Sequence, residues 1–219
     1  MNELYVTALF DLSHTIASKL LSSVTYPWEA LSKISGFILE LGSRLDTDEY
    51  YTPQEGVWIA KDAIVSASAS ISPPCIIGKG AEIRHCAFIR GSAIIGCGAL
   101  VGNSCEIKNS ILFDEAKLPH FNYAGDSIIG YKAHLGAGVI TSNIKIDKSL
   151  ISVCALETGL KKMGAMIGDR AEVGCNTVLN PGTVIGADST VYPLSSVRGF
   201  IKGGHIYKAS ENIVSKERS

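Results

Sequence analysis

The sequence has little of what membrane, nucleic-acid-binding and disulfide-rich proteins need. No apolar run reaches the roughly 18 residues that cross a bilayer, and no secretory signal is evident at the N-terminus. The 20 Lys and Arg residues are balanced by 21 Asp and Glu residues, which leaves no global field to attract nucleic acid or anionic lipid. The six cysteines form no CxxC pair. This argues against a zinc knuckle and indicates reduced thiols in a cytoplasmic protein.

Aromatic residues and prolines are also few, and this balance indicates repeats. Aromatic residues make up 7% of the chain and prolines number 7, against 22 glycines. An apolar residue recurs at every sixth position, usually with a small residue two positions before it and often with a glycine after it, where we expect a turn. A period of six fits neither a helix nor a simple strand, and it predicts a solenoid with triangular turns of 18 residues and rungs ~4.8 Å apart. The recurring residues are Ile59, Val65, Ile71, Ile77, Ile83, Ile89, Ile95, Val101, Ile107 and Phe113.

The six-residue phase is lost twice. Sixteen residues separate Phe113 from the next in-phase residue, Ile129, and twenty-six separate Thr141 from Ile167. Because neither number is a multiple of six, we expect two insertions that leave the solenoid, and insertions in repeat proteins often form the working face. The expected organisation is a helical segment 1–50, a solenoid domain 51–202 with insertions 114–126 and 142–164, and a polar tail 203–219.

The segment before the solenoid has apolar residues at helical spacing. We expect two amphipathic α-helices, one around Asp11–Ser23 capped by Ser13 and one over Trp28–Leu41 ended by Gly42. Their apolar face needs a partner surface, either an end of the solenoid or another subunit. For the polar tail, a short helix is one option.

Two cations and a histidine are candidates for chemistry. Arg90 and Lys108 each follow an inward residue and are 18 residues apart, so they should stack roughly 5 Å apart on one outer face. Two cations held that close repel each other and would clamp a phosphate dianion; the alternative is a pair of solvated surface cations. His120 is a natural general base because its unperturbed pKa is about 6.5, although a lone histidine is more often a surface residue.

Three ordered motifs resemble the acetyltransferase half of the bifunctional enzymes that make UDP-N-acetylglucosamine. Residues 101–108 resemble VGNxxExK, residues 119–126 resemble GHxxYxGD, and residues 134–143 resemble NxGAGTxTxN. Residues 158–164 and 167–169 are more similar to the archaeal-type sugar-phosphate nucleotidylyltransferase/acetyltransferase branch and its stand-alone relatives. The resemblance implies a mainly β fold, the left-handed parallel β-helix of hexapeptide-repeat proteins. That handedness breaks the usual crossover rule and comes from the resemblance alone.

The resemblance also implies an activity and its residues. It is an acetyl-CoA-dependent N-acetyltransferase acting on an amino-sugar phosphate like glucosamine-1-phosphate, in UDP-N-acetylglucosamine or related nucleotide-sugar synthesis. The family works as a homotrimer with its pockets between neighbouring prisms, and acetyl transfer needs no metal. The residues that match the family's positions are His120 as the catalytic base, Arg90, Lys108, Tyr123 and Asn143 for the substrate, and Ala137 and Gly138 for acetyl-CoA. Lys161, like Lys148 and Lys162, either binds coenzyme phosphates or solvates a loop.

Departures from the family pattern leave alternatives open. His134 stands where the bacterial enzymes have asparagine, Ile144 replaces a tyrosine, and nothing in the 219 residues resembles a uridylyltransferase nucleotide loop. We interpret His134 as a packed polar residue or a spare ligand. A non-catalytic β-helix scaffold or regulatory protein is the main alternative. A zinc enzyme like the carbonic anhydrases on the same prism is disfavoured, because His85, His120 and His134 fall in different repeat phases.

Overall fold

The chain winds into a β-solenoid of about eight turns, which a computed structural model describes for residues 2–209 and 212–215. Successive strands enter three different sheets in turn, and within each sheet a strand pairs in parallel with the equivalent strand one turn away. Each sheet is one side of the solenoid, and the sides are called flanks A, B and C. The mainly β solenoid predicted from the period of six is therefore confirmed.

Within the described residues, flanks A and B each add an antiparallel strand at one end. Flank A consists of Tyr50–Gln54, Val57–Ala60, Cys75–Ile77, Ala93–Ile95, Ser110–Leu112, Ile128–Ile129, Ala165–Ile167, Thr183–Ile185 and Phe200–Ile201. Flank B consists of Ile64–Val65, Glu82–Ile83, Leu100–Asn103, Lys117–His120, His134–Leu135, Glu172–Val173, Thr190–Val191, His205–Ala209 and Asn212–Ser215. Flank C consists of Ser70–Ile71, Phe88–Ile89, Glu106–Lys108, Tyr123–Gly125, Ile140–Thr141, Val178–Leu179 and Ser196–Val197.

The first predicted insertion, 114–126, is wrong, because these residues belong to the solenoid and pair with its neighbouring turns. Leu118 lies opposite Val101 on flank B, and Ala124 lies opposite Ile107 on flank C. All four side chains are buried in the interior of the solenoid.

The period fails in this region because two successive turns are one residue shorter. Leu112 lies opposite both Ile95 and Ile129, each 17 residues away, instead of the 18 residues that separate Ile77 from Ile95. The inward residue is therefore Leu112, whereas Phe113 turns outward and packs on Phe10 with their ring centroids 5.1 Å apart.

Residues 142–164 do leave the solenoid, between the flank C strand Ile140–Thr141 and the flank A strand Ala165–Ile167. They include an antiparallel pair, Ser152–Val153 with Leu156–Glu157. Ile151, Val153 and Met163 are fully buried in the apolar cluster on the outside of flank A. The insertion is thus anchored by its apolar residues.

The N-terminal segment is helical, but the predicted pair of α-helices is only partly correct. The second helix ends at Gly42 as predicted, with a 3₁₀ turn leading into it. The first is replaced by short pieces, and the Asp11 carboxylate, not Ser13, caps one of them by accepting a hydrogen bond from the Ser13 N–H (3.0 Å). The 3₁₀ helices are Asn2–Leu4, Leu12–His14 and Pro27–Lys33, and the α-helices are Val6–Leu9, Ser18–Leu21 and Ile34–Gly42. No helix in the described parts of the chain is long and apolar enough to span a bilayer.

The partner surface of this segment within the chain is the outer face of flank A and not an end of the solenoid. Ile76, Ile94 and Ile111 point outward from successive flank A strands and are fully buried beneath the segment and the insertion. The Asp169 carboxylate, at a corner of the solenoid, accepts a hydrogen bond from the Asp11 N–H (2.7 Å) and fixes the segment in place.

The polar tail is not a helix where it is described. His205–Ala209 and Asn212–Ser215 form an antiparallel pair at the end of flank B. The rest of the predicted tail helix, residues 210, 211 and 216–219, lies outside the described residues.

The glycines that follow inward residues allow neighbouring turns of the solenoid to approach closely. The sequence predicted instead that they permit the backbone conformation of a turn. A Cβ at Gly96 would collide with the backbone of Phe113 on the next turn, and the φ angle of Gly96 is not in the left-handed region. The left-handed residues occupy the corners and are mostly not glycine; Cys86, Ser104 and Phe121 have φ of 59°, 53° and 54° on successive turns. Rung spacing, not backbone conformation, therefore selects these glycines.

Candidate functional site

A group of charged and polar side chains lies on the outer surface of flank C. Arg90 directly follows the strand Phe88–Ile89, and Lys108 ends the strand Glu106–Lys108 on the next turn. The Arg90 N–H donates to the Ile107 carbonyl at 2.8 Å, so the two cations are one rung apart, as the 18-residue spacing predicts. Both residues lie at the C-terminal ends of flank C strands, and we call this edge of the sheet the carboxyl edge of flank C.

Each of these cations already has a carboxylate partner. Arg90 Nη1 lies 2.6 Å from Glu106 Oε1, and Lys108 Nζ lies 3.3 Å from Asp126 Oδ2. The four side chains together carry no net charge. The mutual repulsion inferred from the sequence is therefore already relieved within the protein, and a bound anion must share or displace a carboxylate.

Asp126 is the centre of this group, and its side chain is only 6% exposed. Besides Lys108, its carboxylate accepts hydrogen bonds from Asn109 Nδ2 at 2.8 Å and Asn143 Nδ2 at 2.6 Å. Asn143 Nδ2 also donates to the Tyr123 hydroxyl oxygen at 3.2 Å. Burial, reinforced by the nearby Asp126 charge, raises the pKa of Tyr123. The Tyr123 hydroxyl therefore keeps its proton and can donate it to a ligand.

His120 lies around the corner from this group, at the end of the flank B strand Lys117–His120. Its side chain is exposed, and within the described residues the imidazole makes no hydrogen bond or ion pair. The buried Asn122 fixes its backbone, because Asn122 Oδ1 accepts from the His120 N–H at 3.2 Å and Asn122 Nδ2 donates to the Gly136 carbonyl at 2.7 Å. The Gly138 N–H donates to the His120 carbonyl at 3.0 Å. His120 and the residues around Gly138 therefore meet at the corner between flanks B and C.

The structure does not bring Lys161 to this corner. Lys161 is exposed on the insertion, whose apolar residues pack on flank A, whereas Ala137 and Gly138 lie at the corner of flanks B and C. His134, predicted as a packed polar residue or a spare ligand, is only partly packed. Its side chain is 39% exposed on flank B, and its Nδ1 lies 2.8 Å from Glu172 Oε2.

The assignment of the three histidines to different repeat phases is wrong for two of them. Asn103 lies opposite His120, and Asn103 Nδ2 donates to the His85 carbonyl at 3.2 Å. His85 and His120 thus occupy the same position two turns apart, a relation that the shortened turn conceals in the sequence. Among the described residues, no three His, Cys, Asp or Glu side chains are grouped to hold a metal ion.

Sequence reasoning gave no role to Glu106 and Asp126, although both lie inside the motifs. A signal for Asp126 was present, because it follows Lys108 by 18 residues, although the shortened turn places Gly125 opposite Lys108 and Asp126 one residue beyond. Charged residues of opposite sign at that step pair between rungs, and a search for them would have found the Lys108–Asp126 pair.

Comparison with known proteins supports the resemblance. Residues 71–161 match the family described as "GMPPB C-terminal domain". The chain is 31% identical over 204 residues to the bifunctional protein GlmU of Methanococcus maripaludis strain C5, a match that covers 90% of this chain and 50% of that protein. It is 33% identical over 156 residues to a bifunctional sugar-1-phosphate nucleotidylyltransferase/acetyltransferase of Sulfurisphaera tokodaii, covering 69% of this chain and 39% of that one. The chain spans about half the length, or less, of these curated relatives.

Solved structures of acetyltransferases are also similar. A putative acetyltransferase of Bacillus cereus matches with a TM-score of 0.42 and 19% identity over 74% of this chain and 78% of that one. A perosamine N-acetyltransferase variant of Caulobacter crescentus, solved with CoA and GDP-perosamine, matches with a TM-score of 0.36 and 18% identity over 74% of this chain and 57% of that one.

Proposed function

Because the chain is a homologue of the GlmU and sugar-1-phosphate nucleotidylyltransferase/acetyltransferase proteins, we propose that it is an acetyl-CoA-dependent N-acetyltransferase. Its acceptor is an amino sugar that carries phosphate, such as glucosamine-1-phosphate, and the reaction belongs to UDP-N-acetylglucosamine or related nucleotide-sugar synthesis. The observation that carries the proposal is the meeting of His120 and Gly138 at one corner, from which the flank C strand Tyr123–Gly125 begins.

The flank C group supplies acceptor binding. Arg90 and Lys108 hold the phosphate, which either displaces their carboxylate partners or shares the two cations with them. Tyr123 donates its hydroxyl proton to the sugar, because its oxygen already accepts from Asn143. Asn143 in turn is held by the Asp126 carboxylate, which fixes the distance between the phosphate end and the ring end of the acceptor.

His120 acts as the general base. The acceptor nitrogen attacks the thioester carbonyl, His120 Nε2 or Nδ1 takes the amine proton, and the carbon–sulfur bond breaks to release coenzyme A thiolate, which takes up a proton. The imidazole is free to do so because it has no partner within the described part of the chain. Backbone N–H groups beside Ala137 stabilise the developing oxyanion.

Acetyl-CoA lies along the corner of flanks B and C, with its thioester against Ala137 and Gly138. The prism is left-handed and forms a homotrimer, as in the family of the resemblance, and each pocket closes against a neighbouring prism. Lys161 contacts coenzyme phosphates in this arrangement only from a neighbouring protomer, because its own insertion lies towards flank A.

Replacement of His120 by alanine tests the proposal. Purified protein is incubated with acetyl-CoA and a panel of amino-sugar phosphates, and released thiol is measured with a dye. We expect thiol release from the wild type and a loss of at least a hundredfold, roughly the contribution of a general base, in His120→Ala. His85→Ala is the matched control, since His85 has the same position two turns away. Equal turnover by wild type and His120→Ala would remove His120 from the mechanism.

A non-catalytic scaffold is the second candidate, and the pairing of both cations with carboxylates favours it. A protein that has lost the activity would tolerate such neutralisation and the replacement residues His134 and Ile144. Calorimetry with acetyl-CoA separates the two functions: the enzyme binds acetyl-CoA, whereas the scaffold produces no binding heat and no thiol.

A further inference from the structure

A second cleft lies farther along the carboxyl edge of flank C, under the insertion 142–164. It has a volume of about 360 Å³. Its lining includes Ser142, Ile144, Lys145, Asn180, Pro181 and Arg198. None of these residues has a role in the acetyl transfer proposed above.

The cleft is continuous with the flank C group because its residues belong to the same column. Lys108 lies opposite Gly125, Gly125 is followed one turn later by Ser142, and the next two turns place Asn180 and Arg198 at the same position. At ~4.8 Å per rung, Ser142 lies roughly 10 Å and Arg198 roughly 19 Å from Lys108. Gly125 has no side chain, and the Tyr123 phenol lies over it, so the Tyr123 hydroxyl faces the column between Lys108 and the small Ser142.

Arg198 differs from the cations of the first group in having no acidic partner. Its Nη2 donates to Asn180 Oδ1 at 3.3 Å, and across residues 2–209 and 212–215 it forms no ion pair. The remaining guanidinium N–H groups and its planar face are therefore available to a ligand. Asn180 Nδ2 is held by the Val197 carbonyl at 2.8 Å, so the amide is fixed in orientation.

The mouth of the cleft combines a second cation with exposed apolar side chains. Lys145 Nζ uses one hydrogen-bond donor on the Leu150 carbonyl at 2.7 Å and keeps two. Ile144 and Ile146 are 44% and 101% exposed beside it. Asp147 also lines the cleft, but its carboxylate is turned to the Ser149 N–H at 3.0 Å and the Ser149 hydroxyl at 2.8 Å. A ligand that fits must be anionic near Lys145 and flat and apolar farther out.

We propose that the acceptor is a nucleotide-linked amino sugar, whose nucleotide occupies this cleft. The amino sugar and the phosphate attached to it lie at Tyr123, Arg90 and Lys108. The second phosphate passes over Ser142 towards Lys145, and the nucleoside lies on Arg198 and Asn180 with its base against the exposed isoleucines. This inference rests on the proposed function and narrows its acceptor from a free sugar phosphate to a sugar joined to a nucleoside diphosphate.

Arg198→Ala tests the inference, and Arg44→Ala is the matched control on the N-terminal segment, where Arg44 pairs with Glu40. Acetylation of glucosamine-1-phosphate is compared with acetylation of UDP-glucosamine, and binding of UDP, GDP and ADP alone is measured by calorimetry. We expect wild-type kcat/KM to be at least tenfold higher for the nucleotide-linked acceptor. Arg198→Ala should lose at least tenfold on that acceptor through KM, leave glucosamine-1-phosphate unchanged, and lose the binding of the nucleoside diphosphate.

The outcomes separate the two proposals. If glucosamine-1-phosphate is acetylated and Arg198→Ala acts equally on both acceptors, the nucleotide site is overturned and the acetyltransferase stands. If neither acceptor is acetylated, the proposed function is wrong for these two acceptors, and calorimetry still shows whether the cleft binds a nucleoside diphosphate. A nucleoside diphosphate that binds the wild type but not Arg198→Ala supports the site, and no binding of any of the three overturns it.

Discussion

The same substitution, glycine to alanine, should have opposite effects at two positions of this chain. At Gly96 a Cβ would collide with the backbone carbonyl group of Phe113 and the backbone nitrogen of Asp114 on the next turn. At Gly36, within the helix Ile34–Gly42, no atom lies within 4 Å of the Cβ position and the backbone is helical. The two sites therefore separate the steric demand of stacked turns from the conformational freedom of glycine.

The magnitudes follow from what each Cβ meets. The obstacles at Gly96 are backbone atoms that cannot rotate away, so the turns must separate, and we expect a loss of about 3 kcal/mol in the free energy of unfolding, the upper part of the range for overpacking. Gly36→Ala should raise it by about 0.5–1 kcal/mol, because alanine has less unfolded-state entropy and higher helix propensity. In a chain of this size these changes correspond to a fall in Tm of roughly 6–12 °C and a rise of roughly 1–4 °C.

Urea unfolding followed by circular dichroism, with thermal melts of the same samples, measures both variants against the wild type. Equal slopes with urea would show that the unfolded states are comparable. A Gly96→Ala variant with wild-type stability would refute the reasoning, because the turns would then have room for a methyl group. A Gly36→Ala variant as unstable as Gly96→Ala would refute it as well, since the loss would then belong to glycine itself.

Two other predictions concern the candidate site and the thiols. Asp126→Asn keeps the shape of the side chain but removes the charge facing Lys108 and presents an N–H group to a neighbouring amide donor. We expect the free energy of unfolding to fall by about 1–3 kcal/mol and the rate of acetylation to fall at least tenfold. Full activity would show that the flank C group does not bind the acceptor. Burial raises the pKa of Cys75 to about 12, so its thiolate is scarce below that pH. In the native protein a maleimide at pH 8 should label the exposed Cys86 and spare Cys75 until urea is added, and native labelling of Cys75 would contradict the described core.

The period of six predicted the solenoid because every turn repeats the same demand for one large inward side chain. It could not locate the shortened turns, since deletion of one residue at a corner changes the phase without changing the fold. Leu112 and Phe113 are both apolar, and the sequence does not show that Leu112 pairs in register with Ile95 while Phe113 packs on Phe10 outside flank A. The covering of flank A by the N-terminal segment is a tertiary contact that neither segment specifies alone.

The sequence predicted that Arg90 and Lys108 lie together, but it did not predict that carboxylates neutralise their charges. The 18-residue step placed Arg90 and Lys108 together, yet the partners Glu106 and Asp126 follow from rung-to-rung contacts that a search for cations alone ignores. Arg198 lies on the same column of flank C, but the sequence does not show this, because the insertion 142–164 separates it from Lys108 along the chain.

The N-terminal segment has a consequence for how copies of the protein can meet. A three-sided column with one side permanently covered offers only two sides to its neighbours, and these two differ in chemistry. Flank B presents histidines and charged residues, and flank C presents Tyr123 and the edge that carries Arg90, Lys108 and Arg198. Contacts that join unlike sides head to tail close into a ring when the rotation between neighbours closes and otherwise extend into a filament, so the helices that shield flank A also restrict the ways in which a symmetric assembly can be built.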